Sequence, residues 1–199
     1  KIAVTGKRGT SNFALQKDFF SLSAQDAPIS APVVFIGYMD TKVDSALTKG
    51  RIVLALPGRK EDARDTSVTP NARLGLIRPF VGSLATIVVA DDSGGISMER
   101  LSARFGSLIK RGSMTIVGAE QRARRGGFGF PTLVSPELAN EILKETGRSI
   151  GQLRVAASQD TTFSPVILTQ TTVSIDVMNS KEVKTTENVV GFLEGSDPK

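Results

Sequence analysis

The chain has 199 residues, with 25 Lys and Arg against 20 Asp and Glu, and its formal net charge is +5. Hydrophobic residues make up 40% of it, which excludes a disordered or collagen-like chain and allows one domain plus an additional segment. Because it contains no His and no Cys, it cannot build the usual zinc ligand sets or a Ser-His-Asp or Cys-His relay. We therefore do not expect catalysis from this chain alone.

The first half of the chain predicts three buried strands and one helix. Residues 1–30 are polar and broken by glycines, and we expect this leader segment to pack on the domain through its phenylalanines. Thr69 and Pro70 have the residue types preferred at a helix start, and Pro79 must kink or end that helix. Apolar runs rich in β-branched residues predict strands at residues 33–38 (VVFIGY), 50–58 (GRIVLALPG) and 85–92 (ATIVVADD).

The second half predicts two further helices among more strands. Apolar residues at helical spacing predict a helix at residues 97–112. Ser135, Pro136 and Gly147 fit the cap, first turn and end of a helix at residues 135–147. Further strands are predicted at residues 114–119, 152–157, 166–178 and 188–195, the third of them alternating with period two as antiparallel strands do. Strands at both ends with helices between them predict an α+β fold with a mixed sheet.

One basic segment, residues 120–130 (EQRARRGGFGF), has a composition that elsewhere binds RNA through charge and stacking. The alternative is an exposed basic loop before a strand. We favour this alternative because one short run without an accompanying basic groove rarely suffices. The net charge of +5 does not require an anionic partner, and we expect no nucleic acid partner.

Neither a cofactor site nor a membrane span is predicted. Asp91 and Asp92 could hold a hard cation through oxygen ligands, but the Ser-Gly-Gly that follows them indicates a turn, which is the interpretation we favour. Glycine-rich nucleotide fingerprints are absent from the sequence. No run of about 18 apolar residues, the length that spans a bilayer, occurs in it.

Four of these segments occur in an order that resembles the protease-associated domain, or PA domain. In that family a strand ending in Gly-Tyr precedes a Lys-Gly-Lys-Ile-Val-Leu strand, a later aliphatic run, and a helix with a Pro-x-x-x-Ser-x-Glu pattern. Residues 33–38, 49–56, 87–90 and 131–143 match these pieces in turn. The resemblance covers about residues 31–157 and implies a PA domain at residues 31–182. It also implies a mixed sheet, as a sandwich or an open barrel, flanked by two or three helices.

The last segment extends the resemblance to a group of bacterial enzymes. Residues 188–191 (NVVG) and 195–198 (GSDP) look like the opening of the catalytic domain in secreted zinc-dependent aminopeptidases that carry a PA domain, the aminopeptidase Y, glutamate carboxypeptidase and transferrin-receptor-like family. The resemblance implies that residues 183–199 begin a peptidase domain. It also implies an exported parent protein, periplasmic, cell-surface or secreted, with zinc in that missing domain. No zinc ligand or general base of the family transfers to this chain.

What the resemblance implies for this chain is a non-catalytic lid beside the active site, which shapes substrate access or binds peptide or protein. Its expected partners are its own peptidase domain and a peptide or protein substrate. The candidate contact loops are residues 37–44, 59–69 and 121–128. The candidate binding residues are Tyr38, Asp40, Arg122, Arg124, Arg125 and Phe128.

Two alternatives stay open. One is a free-standing interaction module that binds protein or an anionic polymer through the basic loop at residues 120–130. The other, less favoured, is a small enzyme based on Asp and Glu, with Tyr38, the single tyrosine, as a further acid-base group. That enzyme would need several carboxylates in one pocket.

Overall fold

A mixed β-sheet, nearly closed into a barrel, organises the described residues. The computed structural model describes residues 1–20, 28–65, 67–90, 96–111, 132–159, 163–176 and 185. Along the sheet the strands follow the order β2-β1-β8-β4-β5-β6-β7-β3. The strands are β1 (Ile2–Gly6), β2 (Gly9–Phe13), β3 (Phe19–Phe20), β4 (Ile29–Tyr38), β5 (Ile52–Leu56), β6 (Ala85–Val89), β7 (Thr132–Val134) and β8 (Val166–Ile175).

The described helices lie in the connections between strands β4 and β8. Short 3-10 turns follow β5, at Glu61–Arg64, and α4, at Lys144–Thr146. The predicted α+β class and mixed sheet are confirmed, and so is the expected number of helices, since three of them have seven or more residues. The helices are α1 (Ser45–Thr48), α2 (Pro70–Gly75), α3 (Met98–Arg111), α4 (Pro136–Leu143) and α5 (Ile150–Gln159).

The centre of the sheet is parallel and its margins are antiparallel. Strands β4, β5, β6 and β7 run parallel in that order, while β8 is antiparallel to both β4 and β1. The outermost strands, β2 and β3, are separated in sequence by residues 14–18 alone. This short connection brings the two margins close together, and the parallel strands all end at the same edge of the sheet.

Both faces of the parallel strands are buried, which accounts for their unbroken apolar sequences. One face forms the main core with α4 and α5, which contribute Leu138, Ile142 and Leu153. The other face is covered in part by Ile77 and Phe80, from the segment between α2 and β6. Within the described ranges, no helix has the length and apolar character needed to cross a membrane.

The helix boundaries predicted from caps are confirmed where the structure describes them. The Ser135 hydroxyl accepts a hydrogen bond from the Leu138 amide at 3.2 Å, at the start of α4. Thr69 caps α2 through the Ala72 amide at 3.3 Å, and that helix ends at Gly75, before Pro79. These boundaries depend on local chemistry, which is why residue type alone predicts them.

The strand predicted at residues 152–157 is wrong, because these residues belong to helix α5. The Gln152 amide donates to the Ser149 hydroxyl at 3.2 Å, and the Ser149 amide donates to Gln152 Oε1 at 2.9 Å. This reciprocal pair is a capping box, which starts a helix. Leu153 is buried whereas Val155 is 51% exposed, as a helix requires.

The leader segment contributes strands that the sequence did not predict. Residues 2–13 form the β1–β2 hairpin, closed by a two-residue turn at Lys7 and Arg8 between the paired Gly6 and Gly9. Phe19 and Phe20, in β3, are fully buried against the rest of the sheet. The strands predicted at residues 114–119 and 188–195 lie outside the described residues.

Candidate functional site

Two loops meet where the parallel strands β4 and β5 end. The β4 loop comprises residues 39–44 and the β5 loop residues 57–65, and together they are called the paired loops below. In parallel sheets, ligands bind preferentially outside the carboxyl ends of the strands. The paired loops include much of two contact loops chosen from the sequence, residues 37–44 and 59–69, while residues 121–128 lie outside the described part of the chain.

Two hydrogen bonds join the paired loops to each other. The Met39 amide donates to the Gly58 carbonyl at 3.2 Å, and the Lys60 amide donates to the Asp40 carboxylate at 3.1 Å. Gly58 has a φ of +82°, which only glycine adopts without strain. The chain turns sharply there, so that the β5 loop returns toward the β4 loop.

The β5 loop is also organised internally by its own carboxylates. Asp62 accepts the Arg59 amide at 3.1 Å, at the start of the 3-10 turn. Asp65 accepts both the amide and the hydroxyl of Ser67, at 2.8 and 2.6 Å. The two bonds to backbone amides restrict this segment to fewer backbone conformations.

A buried arginine of α2 ties this loop to the body of the protein. Arg73 is 5% exposed, and its Nη2 donates to the backbone carbonyls of Asp62 and Asp65 at 2.7 and 3.0 Å. Its aliphatic stem packs against Gly58, where an added Cβ would lie 3.2 Å from Arg73 Cγ. The Arg73 Nε has no hydrogen-bond partner among the described residues. The guanidinium therefore holds the loop mainly through the two carbonyls.

The structure brings two of the candidate binding residues to this edge. Tyr38 ends β4, and at 4% exposure its ring belongs to the main core rather than to the surface. Asp40 is exposed at the start of the β4 loop, with its carboxylate on the Lys60 amide. The other candidates, Arg122, Arg124, Arg125 and Phe128, lie outside the described residues.

The carboxylates of the paired loops do not form a metal site. Among the described residues, no group of three Asp or Glu side chains is arranged to hold a metal ion, and the sequence offers no His or Cys. The residues present therefore do not fit a zinc centre of the imidazole or thiolate kind. What the paired loops present is a charged, hydrogen-bonding surface held in a fixed shape.

Sequence reasoning missed Arg73, which holds the site together. Arginine is mostly exposed in proteins, and the helical pattern of α2 gives no indication that this one is buried. A turn at Gly58 was recognisable from Pro57, which precedes it at the end of the strand. The contact between Gly58 and Arg73 depends on how α2 packs, which the sequence does not display.

No family model, curated protein or solved structure matches the chain. The resemblance to PA domains therefore depends on the sequence motifs and their order. The functional inference depends on those motifs and on the geometry of the paired loops.

Asp65 makes one part of this site sensitive to pH. The Ser67 hydroxyl and amide hydrogen bonds, with a smaller contribution from the Arg73 charge, hold the pKa of Asp65 below its ordinary value of 3.8. A lowered pKa in the folded state stabilises the fold above the unfolded-state value, and this contribution disappears as the pH falls through the lowered pKa. We expect Asp65→Asn to lower the melting temperature slightly at about pH 6 and not at about pH 2. Thermal unfolding of both proteins at the two pH values measures this, and an equal difference at both would contradict it.

Proposed function

We propose that this chain is the PA domain of an exported, zinc-dependent bacterial aminopeptidase, and that it acts as a non-catalytic lid beside the active site. The paired loops then contact the substrate or the neighbouring peptidase domain. The observation that supports this most is that two loops selected from the sequence lie side by side, joined by the bond between the Lys60 amide and Asp40.

The chemistry of the chain is consistent with a role in access rather than in hydrolysis. Because the sequence has no His or Cys, the zinc ligands of such a peptidase would come from residues outside this chain. The paired loops carry both signs of charge, including Arg59, Asp40 and Asp62. A surface of this kind can contact the backbone and the charged groups of a peptide.

Pre-formed loops favour such a role on energetic grounds. Ordering a side chain or loop on binding costs about 0.5–1.5 kcal/mol for each immobilised side chain. The hydrogen bonds of Asp40, Asp62 and Arg73 hold the paired loops in one shape before any partner arrives. A lid assembled in this way loses less entropy on closing over a substrate than a loop without these contacts.

The test uses the complete protein that contains this chain, loaded with zinc. Asp40→Ala removes the bond to the Lys60 amide, one of the two hydrogen bonds between the paired loops. Asp176→Ala, at an exposed position beyond β8, is the control. We expect Asp40→Ala to change KM for a peptide of about ten residues by about threefold or more, with turnover of a small aminoacyl p-nitroanilide unchanged. The control should change neither.

Three results would contradict the proposal. The first is peptidase activity in the purified 199-residue chain with zinc, since the lid is non-catalytic. The second is an equal effect of Asp40→Ala on both substrates. The third is salt-dependent binding of an anionic polymer, lost when Arg122, Arg124 and Arg125 are changed to Ala, with no effect of the chain on peptidase activity. That last result would favour the free-standing module.

A further inference from the structure

A cavity of about 290 Å³ lies between α2 and α3, and the residues of the paired loops do not line it. Its floor is apolar. Ile96 and Leu101 are 2% and 5% exposed and form a small buried cluster with Phe20, against which Leu74 packs. A floor of this kind takes up a hydrocarbon group, since burying it removes apolar surface from water.

Two arginines stand at the rim of this cavity. Arg100 and Arg104 are four residues apart on α3, so their side chains project from the same side of the helix. Arg104 Nη1 donates to Asn71 Oδ1 of α2 at 2.8 Å, which orients that guanidinium across the gap between the helices. None of the described lining residues is acidic.

We propose that this cavity binds a carboxylate carried on a compact branched aliphatic group. The carboxylate contacts Arg100 and Arg104, because guanidinium groups match its geometry and charge. The aliphatic group contacts Leu74, Ile96 and Leu101. A volume of about 290 Å³ is at the lower limit of ligand pockets, which measure roughly 300–1,000 Å³, so the group that enters it is about the size of one amino acid.

Two sources share this chemistry, the free carboxyl end of a peptide whose last residue is aliphatic and a free branched short-chain acid. Titrations monitored by NMR distinguish them in the full 199-residue chain. The probes are 4-methylpentanoate, N-acetyl-Gly-Leu with a free carboxylate, the same peptide as its amide, and 4-methylpentan-1-ol. We expect at least one acid to bind with a Kd about tenfold or more below that of its neutral counterpart.

Variants of the lining residues, compared with a control elsewhere on the surface, test whether the acid binds in this cavity. Arg104→Met should weaken binding of the acid about fivefold or more, whereas Arg148→Met, at an exposed position before α5, should leave it unchanged. Leu74→Phe partly fills the cavity and should reduce binding of the acid while the melting temperature shows that the protein is folded. If Arg104→Met fails to fold, Arg100→Met takes its place.

The binding results distinguish the two ligand sources. Binding of the peptide acid alone assigns the site to peptide ends, and binding of 4-methylpentanoate alone assigns it to free acids. Equal affinity for an acid and its neutral counterpart, or no saturable binding up to about 20 mM, would overturn the proposal. So would an affinity that is unchanged in both Arg104→Met and Leu74→Phe. These measurements need no peptidase, so they are independent of the proposed lid function.

Discussion

Replacing Arg73 with Met is expected to lower the free energy of unfolding by about 2–3 kcal/mol. The change keeps most of the stem that packs on Gly58 but removes the Nη2 donor shared by the carbonyls of Asp62 and Asp65. Hydrogen bonds from a charged donor contribute about 1.5–3 kcal/mol each. Relief of the desolvation of a buried guanidinium offsets part of this loss, so the net effect is well below the sum of two such bonds.

Urea denaturation gives the stability, and hydrogen exchange of the β5 loop gives the local effect. We expect faster exchange in residues 59–65, with little change in β4 and β5. The free energy of unfolding of Arg73→Lys should lie between those of Arg73→Met and the wild type, because an ammonium group cannot reproduce the planar fork of the guanidinium. Arg148→Met is the control and should stay within about 0.5 kcal/mol of the wild type. A variant that keeps both its stability and slow exchange in this loop would show that Arg73 does not hold it.

Local chemistry explains which elements could be predicted from the sequence. Helix α4 combines a capping Ser135, a proline at its first position, and Gly147 in the left-handed region just beyond its 3-10 extension. Each of these preferences acts within one or two turns. The buried strands β4, β5 and β6 could be predicted as well, because a strand covered on both faces needs an unbroken apolar sequence.

Helix α5 was predicted as a strand because the capping box at its start was not recognised. Residues 152–157 contain Leu153 and Val155, two apolar side chains at strand spacing, and this favoured a strand. Ser149 and Gln152 form a capping box that could be recognised from their spacing in the sequence. With that start, the buried positions Ile150, Leu153 and Ala157 follow the helical period.

Other features depend on residues far apart in the chain. The β1–β2 hairpin is polar on much of its surface, and β1 is buried by pairing with β8, about 170 residues away. At the candidate site, the polarity of the paired loops could be recognised but the position of Arg73 could not. Its burial depends on the packing of α2 over Gly58, which no local pattern encodes.

Strand β8 contains an irregularity that only the folded structure explains. Pro32 pairs with Thr172, yet the next residue of β4, Val33, pairs with Leu168. Three extra residues of β8 are thus accommodated opposite a single step of β4. Such a bulge leaves backbone amides without partners in the ladder, and each of them needs another acceptor, from a side chain or from water.

Glu145 supplies that acceptor from the 3-10 turn after α4. Its carboxylate accepts the amides of Thr169 and Gln170 at 2.9 and 3.0 Å and the hydroxyl of Thr171 at 2.7 Å. We expect Glu145→Ala to lower the free energy of unfolding by about 2 kcal/mol. The value is lower than three charged hydrogen bonds would give, because Thr169 and Gln170 are exposed and water can replace the lost acceptor.

Urea denaturation of Glu145→Ala and of a control, Glu137→Ala, measures the effect. Glu137 lies exposed in the first turn of α4, where its charge interacts with the helix dipole. Its replacement by Ala should lower the free energy of unfolding by about 0.5 kcal/mol. Hydrogen exchange should accelerate at residues 169 and 170 in the Glu145 variant and not in the control. Equal stability losses in the two variants would mean that Glu145 contributes only through its negative charge and not through its hydrogen bonds to the β8 bulge. Unchanged exchange at the two amides would mean that the bulge is held by its backbone alone.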